Sequence, residues 1–169
     1  MQPDVLVAYG SKHGATGEIA EAIAEAFRRE GLDAHAESAL TADPRGAAAV
    51  VVGAALYTGR VHAHAVRFLE RYESVLAERP LAVFASGPRT LEPEDVTASL
   101  RQLRSGLNSS VPHLRPVSLT IFGGAVDPHR LRWPFSRMQA SDARDWEAVR
   151  AWATELARRP DFVGARATR

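Results

Sequence analysis

The chain of 169 residues contains no cysteine, and its 21 basic Lys and Arg side chains include a single lysine, Lys12. Without a thiol there is no disulfide, thiolate nucleophile, zinc-cysteine site or iron-sulfur ligand, so redox chemistry has to come from a bound cofactor. A lone lysine excludes every mechanism that needs a second one. Neither sign of charge dominates, since 20 Asp and Glu leave a formal net charge of +1 and a pI near 8.3. That balance lacks the clustered basic excess of a nucleic-acid-binding domain. No apolar run approaches the roughly 18 residues that span a membrane, and Met1 to Asp4 lead straight into an apolar segment with no leader-like pattern. Repeats, linkers and low-complexity stretches are also missing. The expectation is one soluble, cytoplasmic domain over residues 1–159, large enough to bury its own core, and a mobile tail over residues 160–169 with little to pack.

What is present is an alternation of two periods. Val5–Tyr9, Ala49–Gly53 and Leu81–Ala85 are short, β-branched or wholly apolar runs of the kind found in strands buried on both faces of a parallel sheet. Ala34–Glu37 is a weaker run, and Val117–Phe122 alternates as an edge strand does. Between them the apolar spacing becomes helical. Ile19, Ile23 and Phe27 share one face of a helix over Thr16–Arg29 that Gly31 ends. Phe68, Leu69, Tyr72, Val75 and Leu76 mark a helix over His64–Leu76, and Val96, Leu100, Leu103 and Leu107 mark one over Pro93–Leu107. Trp146, Val149, Ala153 and Leu156 mark the last, over Asp142–Arg158. Five strand-helix alternations call for an α/β fold with a parallel sheet covered by helices on both faces. Ligands of such sheets bind beyond the carboxyl ends of the strands at the topological switch point, which directs attention to the loops after the first, third and fourth strands.

The loop after the first strand, Tyr9-Gly-Ser-Lys-His-Gly-Ala-Thr-Gly17, has the composition of a phosphate cradle. A helix N-terminus offers unpaired N–H groups and the positive end of a dipole, and Ser11 and Thr16 add hydroxyl donors. Lys12 is followed by His13 and Gly14 rather than by Ser or Thr, so the loop is not a Walker A motif. The glycines at 10, 14 and 17 do not form G-x-G-x-x-G, although Glu37 lies where a ribose-binding acid would. A short-chain dehydrogenase would need Tyr-x-x-x-Lys, and a receiver domain would need an acceptor Asp where this chain has Gly53-Ala-Ala55.

Ser11-Lys-His-Gly-Ala-Thr16 resembles the flavodoxin phosphate loop, with His13 in place of the middle hydroxyl. Gly53-Ala-Ala-Leu-Tyr-Thr-Gly-Arg-Val-His62 and Ala85-Ser-Gly-Pro88 are similar to the second and third flavin loops of the flavodoxin subfamily that includes menaquinone-dependent protoporphyrinogen oxidases. Phe122-Gly-Gly-Ala-Val-Asp127 and Asp142-Ala-Arg-Asp-Trp146 extend the likeness, which covers most of Val5–Leu156. The resemblance implies a flavodoxin-like three-layer doubly wound sandwich on a five-stranded parallel sheet of order 2-1-3-4-5. It also implies FMN as cofactor and an oxidoreductase acting on a small redox substrate, quinone-like or porphyrinogen-like; the alternatives are a flavodoxin-type electron carrier working with a redox partner protein, and a flavodoxin-like interaction or regulatory module that binds no flavin.

The implied cofactor-binding residues are Ser11, Lys12, His13, Gly14, Ala15 and Thr16 for the phosphate, and Ala55, Leu56, Tyr57, Thr58, Gly59, Ser86, Gly87 and Pro88 around the ring. Tyr57 is the candidate stacking ring, with Leu56 as an alternative apolar face, and Ser86 is a candidate partner of the pyrimidine side. Arg60 and Arg89 are either stabilisers of anionic reduced flavin or solvated loop arginines. His62 matches a Gly-x-x-His pattern of the subfamily and either handles a proton or caps a helix. His62 and Arg89 are thus the catalytic candidates. His64, His113 and His129 have no partner at metal-ligand spacing, so no metal is expected. Relatives carry a longer apolar and basic stretch where this chain has Pro128–Ala140. Its Trp133, Phe135 and Met138, interleaved with Arg130, Arg132 and Arg137, form either a substrate lip or a packed loop. With that stretch short, peripheral membrane contact is not expected.

Overall fold

A computed structural model describes residues 3–11, 14–88, 90–126 and 141–163. In chain order the elements are β1 (Val5–Gly10), α1 (Ala15–Arg29), β2 (Ala34–Ser38), β3 (Ala49–Tyr57), β4 (Arg60–Val61), α2 (Ala63–Arg71) and α3 (Glu73–Ala77). They continue with β5 (Leu81–Ser86), α4 (Pro93–Ser110), β6 (Ser118–Phe122), β7 (Ala125–Val126), β8 (Ser141–Asp142), α5 (Trp146–Arg158) and α6 (Pro160–Val163). The main sheet runs β2-β1-β3-β5-β6 with every neighbour parallel. Its sixth strand, β4, only folds back antiparallel on the end of β3. The parallel part is therefore the expected five-stranded 2-1-3-4-5 order. Beyond it, β7 and β8 form a separate two-stranded ladder.

The apolar runs become strands because each has two faces to bury. β3 is buried at every position from Ala49 to Leu56, and β5 throughout, whereas the edge strands β2 and β6 are largely half-buried or exposed. One core lies under α2, α3 and α4, and packs Leu6, Val50, Val52 and Val83 against Phe68, Leu69, Leu76 and Leu103. The other lies under α1 and α5, where Val5, Val7 and Val51 meet Ile19, Ile23, Phe27, Val149 and Leu156. Gly53 sits at the centre of β3, where a Cβ would come within 2.2 Å of the Phe84 ring. The missing side chain makes room for that ring, whose far side meets Phe122 at 5.7 Å and Trp152 at 6.2 Å between centroids.

Beyond shifts of a few residues at strand and helix ends, among them β3 running on to Tyr57 and α4 to Ser110, three differences from the sequence expectation stand out. The helix over His64–Leu76 is two helices, because Tyr72 leaves helical geometry at φ −112° and ψ 20°. Tyr72 N still donates to Phe68 O and Leu76 N to Tyr72 O, so the apolar face runs on across the break and periodicity shows no sign of it. The last helix starts at Trp146 rather than Asp142, since the Asp145 carboxylate accepts from Ala148 N at 3.1 Å as a cap while Asp142 pairs in β8. The expected mobile tail is corrected at its beginning. Pro160–Val163 form a helical turn, and Phe162, 1% exposed, stacks on Phe27 at 5.8 Å. Residues 164–169 lie outside the described residues.

Phe162→Ala should therefore lower unfolding stability by about 3 kcal/mol, as for other large aromatic truncations in a core. Asp161→Ala, which removes only an exposed pair with Arg159, should leave stability close to that of the parent. Urea denaturation checks both, and a Phe162→Ala protein as stable as the parent would show that the end of the chain does not belong to the core.

Candidate functional site

The parallel register brings the carboxyl ends of the central strands to one edge. Gly10 pairs with Ala54, Ala55 with Ser86, and Ser86 with Phe122. The chain turns from β1 into α1 on one face of the sheet and from β3 into α2 on the other, so the crevice between β1 and β3 is the topological switch point. Among the described residues no helix is long and apolar enough to cross a membrane, and no cluster of His, Asp and Glu could hold a metal.

The first loop leads into α1 through Gly14, whose φ of 87° places it in the left-handed region as the residue flanking the helix start. That conformation favours glycine, and glycine has no side chain to cap the first-turn N–H groups. Gly14 O accepts the first helical bond, from Glu18 N at 3.1 Å. Gly10 allows a second close approach, because a Cβ there would lie 2.4 Å from Ala65 N. The start of α2 is thereby drawn over the end of β1, beside the first loop. Ala15 opens α1, and Thr16 is buried within it.

The second loop is a two-residue hairpin. Tyr57 pairs with Arg60 across Thr58 and Gly59, which have φ values of 46° and 78°. Positive φ at both central positions is the type I′ arrangement that suits the twist of paired strands. Leu56 is buried, and Tyr57 is 39% exposed with its ring edge-on to His62 at 5.8 Å. His62 N donates to Ala55 O at 2.9 Å. Its Nδ1 accepts from His64 N at 3.3 Å, so its ring caps α2. Of the two sequence readings of His62, the geometry displays the capping one.

The third loop is fastened on three sides. Gly87 N donates to Phe122 O at 3.3 Å, and Gly124 N to Pro88 O at 3.0 Å. A Cβ on Gly87 would fall 2.6 Å from Leu56 Cβ, so the second and third loops touch. Ser86, 4% exposed, does not stand open toward a ring. Its hydroxyl lies 2.8 Å from that of Thr16, 1% exposed, across 70 residues of chain. Lys12, His13, Arg89, His129 and the lip residues Arg130, Arg132, Trp133, Phe135, Arg137 and Met138 lie outside the described residues.

A fourth contributor lies in Asp142–Trp146, a segment that extends the resemblance in sequence but in which Arg144 had no assigned role. Ala143 N donates to Gly124 O at 2.9 Å, which fixes the β7–β8 ladder beside the third loop. Arg144 then spans from this ladder to the first turn of α1. Its guanidinium bonds both Asp142 carboxylate oxygens at 2.9 and 2.8 Å, pairs with Glu18 and covers the Trp146 ring at 4.8 Å. One arginine in an Arg-rich chain carries no signal of its own. Only the Asp-x-Arg-x-Trp spacing within Asp142–Trp146 could have drawn attention to it.

A doubly wound sheet with three loops gathered at its switch point defines a class of α/β nucleotide- and cofactor-binding domains. The family profile described as Flavodoxin domain matches residues 6–139, and the chain belongs to that family. No curated protein matches it in sequence. Among solved structures, oxidised Flavodoxin 1 from Bacillus cereus is similar at 15% identity and a TM-score of 0.59, with 89% of this chain and 95% of that one covered. Rubredoxin oxygen:oxidoreductase from Desulfovibrio gigas is similar at 17% identity and a TM-score of 0.59 over 96% of this chain. This chain spans only 36% of that protein's length. The flavodiiron protein from Giardia intestinalis gives 16% identity and a TM-score of 0.52, with 96% of this chain and 36% of that one covered. Likeness at these identities establishes the shared fold.

The Arg144 bridge has a defined pH response. Its guanidinium, by hydrogen bonding, holds the Asp142 carboxyl below its ordinary 3.8, against the opposing effect of partial burial. A carboxyl depressed in the folded state contributes its full stabilisation above its unfolded pKa and loses it as pH falls through the folded value. The Asp142–Arg144 pair should thus hold at neutral pH and loosen only in acid below 3.8. The indole N–H resonance of Trp146 should report that acid transition, and Arg144→Gln should abolish it. An unaltered transition in the variant would contradict the bridge.

Proposed function

We propose that this flavodoxin-domain protein binds FMN at the crevice between β1 and β3. It would act there as a cytoplasmic FMN-dependent oxidoreductase of the protoporphyrinogen oxidase-like branch, exchanging electrons or hydride with a quinone-like or porphyrinogen-like molecule. The observation that carries the proposal is the convergence of three loops with different equipment on one edge. The first has a helix start flanked by a left-handed glycine with no capping side chain of its own, the second a half-exposed Tyr57, and the third a glycine packed on Leu56. These residues fit a ligand with an anionic end and a planar end.

In this proposal the first-turn N–H groups of α1 hold the phosphate, with Lys12 and His13 adding charge. Tyr57 offers an aromatic face to the ring. The second and third loops bring backbone up beside it, and such contacts tune the cofactor's potential. When bound, FMN supplies reversible one- and two-electron chemistry. Charge balance favours an enzyme over a carrier that steers to partners by a strong net field, since 21 basic residues face 20 acidic ones. One local feature favours the carrier reading. Exposed Glu92, Glu94 and Asp95 follow Leu91, 43% exposed, at the start of α4 just after the third loop. That acidic rim would meet a basic redox partner.

Purified protein should carry or take up FMN with the absorbance of oxidised flavin. Gly14→Asp, which sets a carboxylate at the phosphate cradle and opposes the helix dipole, should weaken FMN binding about tenfold or more. A colourless protein that ignores added FMN would overturn the proposal. With FMN bound, turnover of quinones, protoporphyrinogen or reduced nicotinamides would support the enzyme. Electron exchange restricted to a protein partner would support the carrier.

A further inference from the structure

Only Thr16, Ser86 and Ser99 are buried polar side chains among the described residues, and the first two are spent on each other at the ligand edge. A hydroxyl has one proton and two acceptor positions. A pair of hydroxyls in contact therefore uses one proton between them and keeps one for a third group. In the bare pair either order is allowed, because either oxygen stands in donor position at 2.8 Å.

An anion breaks that symmetry. Thr16 occupies the second position of α1, where the first-turn N–H groups are gathered, and a phosphate there has only acceptor atoms to offer. Thr16 can serve it only by donating. Its oxygen must then accept from Ser86, and Ser86 has no proton left for a carbonyl or ring nitrogen. The bond order becomes Ser86 to Thr16 to phosphate, with each donor polarised by the next.

We propose that Ser86 is a positioning residue for the phosphate end of the ligand. Although it belongs to the third loop, its hydroxyl donates to Thr16 and turns the Thr16 proton toward the anion. This rests on the FMN reading above and deepens it, since it assigns Ser86 to phosphate selectivity rather than to ring recognition.

The test is titration of the cofactor-free protein with FMN, with riboflavin, which lacks the phosphate, and with inorganic phosphate. Parent, Ser86→Ala, Thr16→Val and the double variant are compared by flavin fluorescence and calorimetry. Ser86→Ala should weaken FMN and phosphate about fivefold to tenfold, the scale of one hydrogen bond, and leave riboflavin affinity unchanged. Once Thr16→Val is present, Ser86→Ala should have no further effect on FMN. Should Ser86→Ala fold poorly, Ser86→Cys, a weak donor of similar shape, should give a smaller loss confined to the same two phosphate-bearing probes. Equal weakening of FMN and riboflavin would place Ser86 on the ring and overturn the inference, as would affinities that do not change at all. A parent protein that binds neither flavin would instead defeat the FMN reading, and the role of Ser86 with it.

Discussion

The ligand edge depends on β3 being buried on both faces from Ala49 to Leu56. Two separate cores grip this strand, one on each face, so its register with β1 and β5 has no freedom to slip. Everything that follows it in the chain inherits that fixed position. Tyr57 is the first residue to emerge, and the Thr58-Gly59 turn returns the chain at once, so that His62 can cap α2 over the end of β1. Burial in the middle of the molecule thus decides where an exposed aromatic ring stands at its margin.

Close approach is the second constraint. Gly53 admits the Phe84 ring in the middle of the sheet, Gly10 admits the start of α2 at the end of β1, and Gly87 lies against Leu56, so each element comes nearer its neighbour than a side chain there would allow. The crevice is consequently built of backbone and small groups, which suits a flat ligand approached by amides. The proposed phosphate site rests on the start of α1, flanked by a glycine with no side chain to cap it, rather than on a surplus of basic side chains. The few committed charges hold the frame. Arg144, largely buried and paired with Asp142 and Glu18, ties the β7–β8 ladder to the helix that carries the cradle.

The fold was legible in the sequence where burial leaves a periodic trace. The wholly apolar runs of β1, β3 and β5 and the four-residue spacing of Ile19, Ile23 and Phe27 identify the sheet, the first helix and, through alternation, the chain order. The places of the three loops were legible from the strand order, and their likeness to flavin loops from family resemblance rather than from spacing. What stayed hidden has physical reasons. The break at Tyr72 preserves the apolar face, and a Thr in a type I′ turn lacks the Asn-Gly signal that announces a hairpin. The strands β7 and β8 are two residues each, too short for any period. Phe162 follows a proline in a segment of charged composition, and its place against Phe27 is a tertiary contact. Ser86 was legible as a loop residue, but its bond to Thr16 is visible only once both strand ends are in place.

The central claim is that these three loops form one binding site for a phosphate-bearing flavin. Amide hydrogen exchange with and without FMN tests it most directly, because each loop reports separately in one experiment. The account predicts that FMN slows exchange together in residues 11–17, 56–62 and 86–90, while the amides of α5 on the far side of α1 stay as they were. Protection confined to one loop, or absent from all three at saturating FMN, would contradict it.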